Sequence, residues 1–387
     1  LKSSAGDVGF DAFVHHADAA NGAAHGANGA NGAHGATPPT RFEFEHCAYT
    51  VRVRPDGRAL ASQSLAKVVA TKPKALLHDV SAAVVGGEVM YVMGPSGAGK
   101  TTLLRLLSLQ PMGGTPSGDV RLDGAPFDRV RYRAACASVE QEGSLWAFLT
   151  CREHLEYAVA LCASQLTPAA QRSEVDALLG ALGLESCERV RAGNALVKGL
   201  SGGQRRRLSL GVALAKRPSL LFADEATSGL DAASASAVTR LLKRLAVRTR
   251  AAVVCTIHQP SSSEFAGFDH TLVLSGGRVA YWGPASAMVG YLASIDRPVP
   301  AETNPADHML DVVNADFVPP ADVDRVLRAW AATTKPLEFS APPETPRVPF
   351  AVPSRFVQWR VLFRRSRRLA AADPSLYTVR IVTASAF

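Results

Sequence analysis

The chain has 387 residues, 47% of them hydrophobic, which suffices for one large folded domain or two modest ones. Its formal net charge of +8 favours an acidic partner and leaves a nucleotide, a nucleic acid and an anionic membrane surface open. The six cysteines include no C-x-x-C pair, which argues against a zinc motif and against a disulfide framework.

Residues 1–40 are predicted to be a disordered, low-complexity tail. Asn-Gly-Ala and His-Gly-Ala units repeat between residues 21 and 36, and their small side chains cannot form a core. A folded domain is predicted from residue 41, because residues 42–45 and 49–53 alternate at the period of a β-strand. Tyr49 is a candidate to stack on an adenine ring, and a half-buried strand tyrosine is the alternative interpretation.

The sequence G-P-S-G-A-G-K-T at residues 94–101 matches the phosphate-loop pattern G-x-x-x-x-G-K-[ST]. It lies between a predicted buried strand at residues 88–93 and a predicted helix from residue 102, which is the context that the pattern requires. Glycines allow backbone N–H groups to surround phosphate oxygens, Lys100 would neutralise the β- and γ-phosphates, and the Thr101 hydroxyl would bind Mg²⁺. The predicted nucleotide-binding residues of this loop are Gly94, Pro95, Ser96, Gly97, Ala98, Gly99, Lys100, Thr101 and Thr102.

A helical insert is predicted between about residues 142 and 200, after strands at 119–124 and 135–139. Its first helix begins with a capping box of Thr150 and Glu153. Its second helix is predicted from residue 167 to residue 182, where four apolar side chains recur at i, i+3, i+4 and i+7. These four are Val175, Leu178, Leu179 and Leu182.

The sequence L-S-G-G-Q at residues 200–204 opens another predicted helix, over residues 205–216. Ser201 is placed to cap this helix, while Gly202 and Gly203 allow a ligand to approach the backbone, which predicts a second phosphate-binding helix N-terminus. Only one lysine-bearing loop is present, so the chain carries two unlike halves of a phosphate site. A two-fold, head-to-tail dimer would complete two sites.

An apolar strand at residues 220–223 ends in Asp224 and Glu225. We expect Asp224 to hold the Mg²⁺ shell and Glu225 to orient and deprotonate an attacking water. A further buried strand, residues 252–257, ends in His258, which at the carboxyl edge of a sheet would reach the γ-phosphate. A strand-end histidine held by a loop is the alternative for His258 alone.

These motifs, in this order, resemble the nucleotide-binding domain of ATP-binding cassette (ABC) proteins over about residues 41–290. The resemblance implies ATP and Mg²⁺ as cofactors. It also implies an α/β fold of the P-loop NTPase class (ABC ATPase), with a parallel core sheet, an N-terminal antiparallel β region and an inserted helical subdomain. The matching segments are Walker A (94–102), the Q-loop (Gln141), the signature (200–204), Walker B (220–225), the D-loop (228–231) and the switch histidine (His258).

The resemblance also assigns roles within the site. It implies that Glu225 is the hydrolytic base and that His258 senses the γ-phosphate. Ala226 stands where the family usually has proline, which should leave the chemistry intact and loosen the turn. The implied Mg²⁺ residues are Thr101, Gln141 and Asp224. The residues implied to cover ATP held by a partner domain, or to complete its site, are Ser201, Gly202, Gly203, Gln204 and Asp231.

Residues 276–285 and 304–312 resemble subfamily G, the white/brown type of half-transporter. This resemblance implies a multi-pass membrane protein with this portion on the cytoplasmic side, a C-terminal transmembrane domain, and a second nucleotide-binding domain as partner in a homo- or heterodimer. It also implies export of sterols, other lipids or other hydrophobic compounds. We expect the chain to be a piece of a longer product, since it begins at Leu1 and shows no signal peptide and no complete membrane span.

Residues 291–350 are predicted to be a linker, on the basis of the repeated prolines from residue 336. Residues 351–387 are predicted to form an amphipathic connecting helix and, at 381–387, the start of a spanning helix. A basic helix with aromatic residues on one face belongs at a membrane interface, and a helix packed on the ATPase domain with exposed arginines is the alternative. Its apolar face is Phe356, Trp359, Leu362, Phe363 and Leu369, and its basic face is Arg360, Arg364, Arg365 and Arg368.

Two other functions remain open at this stage. A soluble ABC ATPase acting on nucleic acid or ribosomes would explain the basic charge, but such proteins usually carry two cassettes or a long coiled coil. A P-loop kinase is disfavoured because it has no use for residues 200–204. Arg205, Arg206 and Arg207 are interpreted as a solvated helix face in preference to a nucleic-acid contact.

Overall fold

The computed structural model describes residues 39–53, 72–141, 145–194, 196–333 and 353–373. The chain forms two compact units. Among the described residues, the first unit, here the helical unit, comprises 145–194, 196–218 and 353–373, and the second, here the sheet unit, comprises 39–53, 72–141 and 219–333. Residues 1–38 of the predicted tail and the predicted start of a spanning helix at 381–387 lie outside the described residues.

The sheet unit contains two β-sheets. A six-stranded sheet has the order β10-β9-β3-β8-β7-β6, in which only β10 is antiparallel to its neighbour, and a four-stranded antiparallel sheet has the order β2-β1-β4-β5. This confirms the predicted parallel core sheet and antiparallel N-terminal region. The strands are β1 Arg41–Val53, β2 Lys72–Val85, β3 Val89–Met93, β4 Thr115–Leu122, β5 Ala125–Pro126, β6 Cys136–Val139, β7 Leu220–Ala223, β8 Ala252–Thr256, β9 His270–Ser275 and β10 Arg278–Pro284.

The central parallel strands are apolar because both of their faces are covered. Every residue of β3, β7 and β8 is buried, as expected for a parallel sheet with packing on both sides. The two sheets share one hydrophobic core, in which the Phe42 ring of β1 meets the Phe222 ring of β7 edge-on with centroids 5.6 Å apart. The carboxyl ends of β3, β7 and β8 therefore lie at one edge of the core sheet.

The helices of the sheet unit include two in the region that was predicted to be a linker. These two helices fall within residues 291–333, so the structure differs from the prediction there. Val323, Val326 and Leu327 are buried at helical spacing, and Trp330 packs on Tyr281 of β10 with centroids 5.2 Å apart. The helices are α1 Lys100–Leu107, α2 Arg129–Ala135, α6 Ala232–Thr249, α7 Ser262–Phe265, α8 Met288–Ser294, α9 Pro305–Val312 and α10 Pro320–Thr333.

The helical unit follows the predicted pattern closely. Thr150 caps α3 with both bonds of a capping box to Glu153, and α4 begins with Pro168 and ends at Gly183, whose φ of 60° only glycine adopts at little cost. The four apolar side chains predicted to share one face of α4 are all at most 2% exposed. The helices of this unit are α3 Cys151–Cys162, α4 Pro168–Leu182, α5 Gly202–Leu214 and α11 Arg355–Ala372.

Helix α11 packs against α3 within the helical unit. The Arg368 Nε atom donates to Glu153 at 2.8 Å, and the Arg365 guanidinium lies 5.1 Å from the centroid of the Trp146 ring. The aromatic face stays exposed, with Phe356 66% and Trp359 59% accessible. No helix in the described part of the chain combines the length and the apolar character that a membrane span needs.

Candidate functional site

The phosphate loop joins β3 to α1 and needs glycine at specific places. Gly94 has a φ of 151°, and a Cβ atom there would lie 2.3 Å from the carbonyl oxygen of Leu274. Gly99 caps the N-terminus of α1 with a φ of 102°. The loop therefore turns so that the backbone N–H groups at the start of α1 face the edge of the sheet, where they would bind an anion.

The Lys100 side chain folds back into this loop. Its Nζ atom donates to the carbonyl oxygens of Gly94 at 2.7 Å and Pro95 at 3.0 Å, and the residue is 7% exposed. Burial lowers the pKa of the Lys100 amine, while the charges of Glu225 and Asp224 act in the opposite direction. The amine is thus held inside the loop, where phosphate oxygens would be stronger acceptors than carbonyl groups.

Asp224 lies at the end of β7, 8% exposed, beside two hydroxyl groups. Thr101 donates to its Oδ1 atom at 3.4 Å, and Thr256 donates to the same oxygen at 2.7 Å. A hydroxyl, a carboxylate and the amide of Gln141 are oxygen ligands of the kind that Mg²⁺ prefers when phosphates and water complete its shell, so these residues fit the ion. No cluster of three or more His, Cys, Asp or Glu suited to a metal occurs among the described residues.

Glu225 is held in an unusual backbone conformation. Its φ is 45°, which costs a non-glycine residue about 1–3 kcal/mol. Its amide N–H donates to the Thr256 hydroxyl at 2.6 Å, and its Oε2 atom accepts from the Gln141 amide at 2.6 Å. Sequence reasoning missed Thr256, although a hydroxyl residue at the end of a buried strand, two positions before His258, was a signal that could have been used.

His258 reaches the phosphate loop from the strand beside β3. Its Nε2 atom lies 3.5 Å from the Ser96 hydroxyl. The loop after it is fixed by Asn304, 9% exposed, whose Nδ2 atom donates to the carbonyl oxygen of Pro260 at 2.8 Å. The structure therefore brings the predicted residues that follow β3, β7 and β8, together with Gln141, two residues after the end of β6, to one edge of the sheet.

Asp231 is exposed and caps α6. Its carboxylate accepts from the Ser234 amide at 3.0 Å, and hydrogen bonds from Ser234 lower the pKa of this carboxyl group. The hydrogen bonds recorded for the Asp231 carboxylate all come from the start of α6. Its predicted part in the nucleotide site stays a prediction.

The signature segment begins α5 in the helical unit, three residues earlier than predicted. Ser201 caps the helix, since its Oγ atom accepts from the Gln204 amide at 3.3 Å and its own amide donates to Gln204 Oε1 at 2.9 Å. Ser201 and Gly202 are exposed, and Gly203 is buried. This helix N-terminus is open to an external ligand.

The arginines that follow differ from the predicted solvated face. Arg206 is only 8% exposed, and the Arg207 guanidinium donates to the carbonyl oxygens of Leu182 at 2.8 Å and Gly183 at 3.0 Å. Arg207 thereby satisfies carbonyl groups at the C-terminal end of α4, which a helix leaves without partners. These two arginines serve packing within the helical unit.

Tyr49 lies in the core of the sheet unit, 3% exposed. Its hydroxyl accepts from the Gly114 amide at 2.6 Å, and a Cβ atom on Gly114 would lie 2.5 Å from the ring. This burial favours the alternative interpretation, a core tyrosine of a strand. An adenine ring could stack on Tyr49 only if the tyrosine ring moved out of its packing against Gly114.

Comparison with known proteins agrees with the motifs. Residues 77–228 match the family described as ABC transporter, and residues 258–328 match the family described as ABC-2 type transporter. The chain is 37% identical over 283 residues to ABC transporter G family member 14 of Arabidopsis thaliana, covering 73% of this chain and 42% of that protein. It is 35% identical over 330 residues to protein white of Drosophila melanogaster, covering 80% of this chain and 48% of that protein.

A third relative is ABC transporter G family member STR of Petunia hybrida, 35% identical over 332 residues, with 81% of this chain and 38% of that protein covered. The chain thus spans less than half the length of these curated relatives. Two of the three carry the letter G of the subfamily in their names.

Proposed function

Because this chain belongs to the ABC transporter family and carries its ATP-hydrolysing domain, we propose that it is the energy module of a subfamily G-like exporter. The observation that carries the proposal is the gathering of Lys100, Asp224 and Glu225 at one edge of the parallel sheet. The proposed cargo is lipids, sterols or other hydrophobic compounds, as the resemblance to subfamily G implies. Membership in a transporter family favours this function over a soluble ATPase acting on nucleic acid.

The phosphate loop and Lys100 bind the phosphates of ATP in this proposal. Thr101, Asp224 and Gln141 would hold Mg²⁺, which when bound would neutralise charge on the phosphate oxygens. His258 lies beside Ser96 of the loop and contacts the γ-phosphate. These groups place the nucleotide at the carboxyl edge of the sheet, where ligands of open α/β sheets bind.

Glu225 acts as the general base. Its carboxylate accepts a proton from the water whose oxygen attacks the γ-phosphorus, and ADP leaves as the P–O bond breaks. Since Oε2 of Glu225 accepts from Gln141 at 2.6 Å in this structure, that bond must loosen before the carboxylate can hold the water. A movement of Gln141 towards Mg²⁺ would break this bond and free the Glu225 carboxylate.

The second half of each site comes from another nucleotide-binding domain. The capped start of α5, Ser201 to Gln204, has an exposed serine and glycine and is proposed to cover ATP held by the partner, in a homo- or heterodimer. Head-to-tail pairing gives each ATP one phosphate loop and one signature segment. ATP binding would close the dimer, and hydrolysis would open it.

Helix α11 is proposed to lie at the cytoplasmic membrane interface, ahead of a C-terminal transmembrane domain. Its exposed aromatic face would enter the interface while Arg365 and Arg368 contact the helical unit. Packing against α3 and insertion into the membrane interface are compatible, because the arginines and the aromatic side chains lie on opposite sides of α11. Movements of the dimer would reach the membrane through this contact.

The test is ATP hydrolysis by the full-length protein in membranes, with Glu225→Gln compared with wild type. Loss of the general base should lower kcat by about 10²–10⁴-fold while ATP binding persists. Glu302→Gln, the same change at an exposed glutamate outside the site, is the control and should be neutral. Unchanged hydrolysis in Glu225→Gln would show that the proposed mechanism is wrong.

A further inference from the structure

Thr256 occupies a position defined by the register of the core sheet. Ala223 of β7 and Cys255 of β8 are partners in a parallel pair, so the next residues lie side by side, Asp224 just past the end of β7 and Thr256 as the last residue of β8. Thr256 is 0% exposed. Its β-branched side chain has few allowed rotamers in a strand, which fixes the direction of the hydroxyl.

The hydrogen bonds of this hydroxyl have only one possible polarity. The Glu225 backbone N–H can only donate, so the Thr256 Oγ atom accepts there, at 2.6 Å. The single hydroxyl proton is then donated to Asp224 Oδ1, at 2.7 Å. One hydroxyl thus bridges the carboxylate proposed to serve Mg²⁺ and the backbone of the proposed base.

We infer that Thr256 is a positioning residue for ATP hydrolysis, an inference that rests on the proposed function. Its hydroxyl sets the rotamer of the Asp224 carboxylate and holds Glu225 in the left-handed conformation, φ 45°, that directs its side chain. Thr256 acts through these two residues, because its buried hydroxyl is bonded to both of them. A valine of the same shape would leave the Glu225 N–H and one Asp224 oxygen without this partner.

A second buried threonine shows that burial alone does not create this arrangement. Thr271 of β9 is also 0% exposed, and its hydroxyl has no hydrogen-bond partner within the described structure. It lies on the parallel strand on the other side of β3. Thr271→Val is therefore a matched control, the same change of atoms in the same sheet.

The experiment compares Thr256→Val, Thr256→Ser and Thr271→Val in the full-length protein in membranes. Thr256→Val should lower kcat by about 10–100-fold, because small misplacements of catalytic groups have effects of this size, and should raise the Mg²⁺ concentration needed for half-maximal activity. The KM for ATP should change by less than about threefold, since the phosphate loop is untouched. Thr256→Ser should recover activity to within about threefold of wild type, and Thr271→Val should be neutral.

The outcomes separate two failures. If wild type hydrolyses no ATP, or if Glu225→Gln hydrolyses it normally, the proposed function fails. If wild type and Glu225→Gln behave as expected but the kcat of Thr256→Val equals that of Thr271→Val, the inference about the hydroxyl is overturned. It is also overturned if Thr256→Ser is as slow as Thr256→Val. Should Thr256→Val not fold, Thr256→Cys replaces it, and its weak S–H donor should give the same loss relative to serine.

Discussion

His154 should make the stability of the helical unit depend on pH. The Trp146 amide N–H donates to the Nε2 atom of His154 at 3.0 Å, so this nitrogen carries no proton and the ring is neutral, with Nδ1 bonded to the Thr150 carbonyl oxygen at 2.8 Å. Burial lowers the pKa of His154 from 6.5, and the nearby charge of Arg365 acts the same way, whereas the Thr150 bond and Glu153 oppose it. Protonation would break the bond from Trp146.

The size of the effect follows from linkage. An opened helical unit binds the proton as pH falls through 6.5, while the folded form resists it, so the stabilisation is complete above pH 6.5 and is lost below it. A ring that stays neutral in the folded state loses about 1.4 kcal/mol between about pH 7.5 and about pH 5.5, which is the upper limit. Glu153, whose pKa is lowered from 4.5, stays ionised over this window.

Native-state amide hydrogen exchange of α3 measures this free energy of opening. The control is His154→Gln, whose amide oxygen can still accept from Trp146 and cannot be protonated in this range. Wild type should lose protection relative to the variant as pH falls, because intrinsic exchange rates cancel in the comparison. Equal pH dependence in the two proteins would refute the assignment of a neutral, buried His154.

Three further changes test the site and the membrane proposal. Lys100→Met should reduce ATP binding and hydrolysis by roughly 10²-fold or more in a nucleotide-binding and ATPase assay, because the variant lacks the positive charge that neutralises the phosphates. Gly94→Ala should lower the thermal unfolding temperature more than Gly97→Ala, since a Cβ atom meets the Leu274 carbonyl oxygen at residue 94 and open space at residue 97. Gly97→Ala should lower the free energy of unfolding by about 1–2 kcal/mol, because of its positive φ alone. Trp359→Ser should weaken flotation of the chain with anionic vesicles, and equal flotation would contradict an interfacial role for α11.

Local signals were sufficient where a short segment determines its own structure. The phosphate loop, the capping box at Thr150, the cap at Ser201 and the end of α4 before Gly183 were predicted from neighbouring residues. The buried strands that lead to Asp224 and His258 were predicted because fully buried parallel strands are continuous apolar runs, although β8 ends at Thr256, before the predicted end. In these cases the chemistry of a few consecutive residues outweighs tertiary context.

Features that depend on distant partners were not predicted. Strand β2 was missed because its pairing partner in β1 lies more than 30 residues away along much of their length and Asp79, with φ 52°, interrupts its alternation. Arg206 and Arg207 were read as solvated, since nothing near them in sequence reveals the end of α4. The Thr256 bridge required the register of β7 against β8.

Glu153 connects two parts of the helical unit through its two carboxylate oxygens. Oε2 accepts from the Thr150 amide at 2.8 Å as half of the cap of α3, and Oε1 accepts from Arg368 of α11 at 2.8 Å. A pull on α11 through Arg368 would therefore act on the opening turn of α3, whose first N–H groups have no partners within the helix. Strain arriving at this carboxylate would loosen α3 from its start before it shifted the helix as a whole.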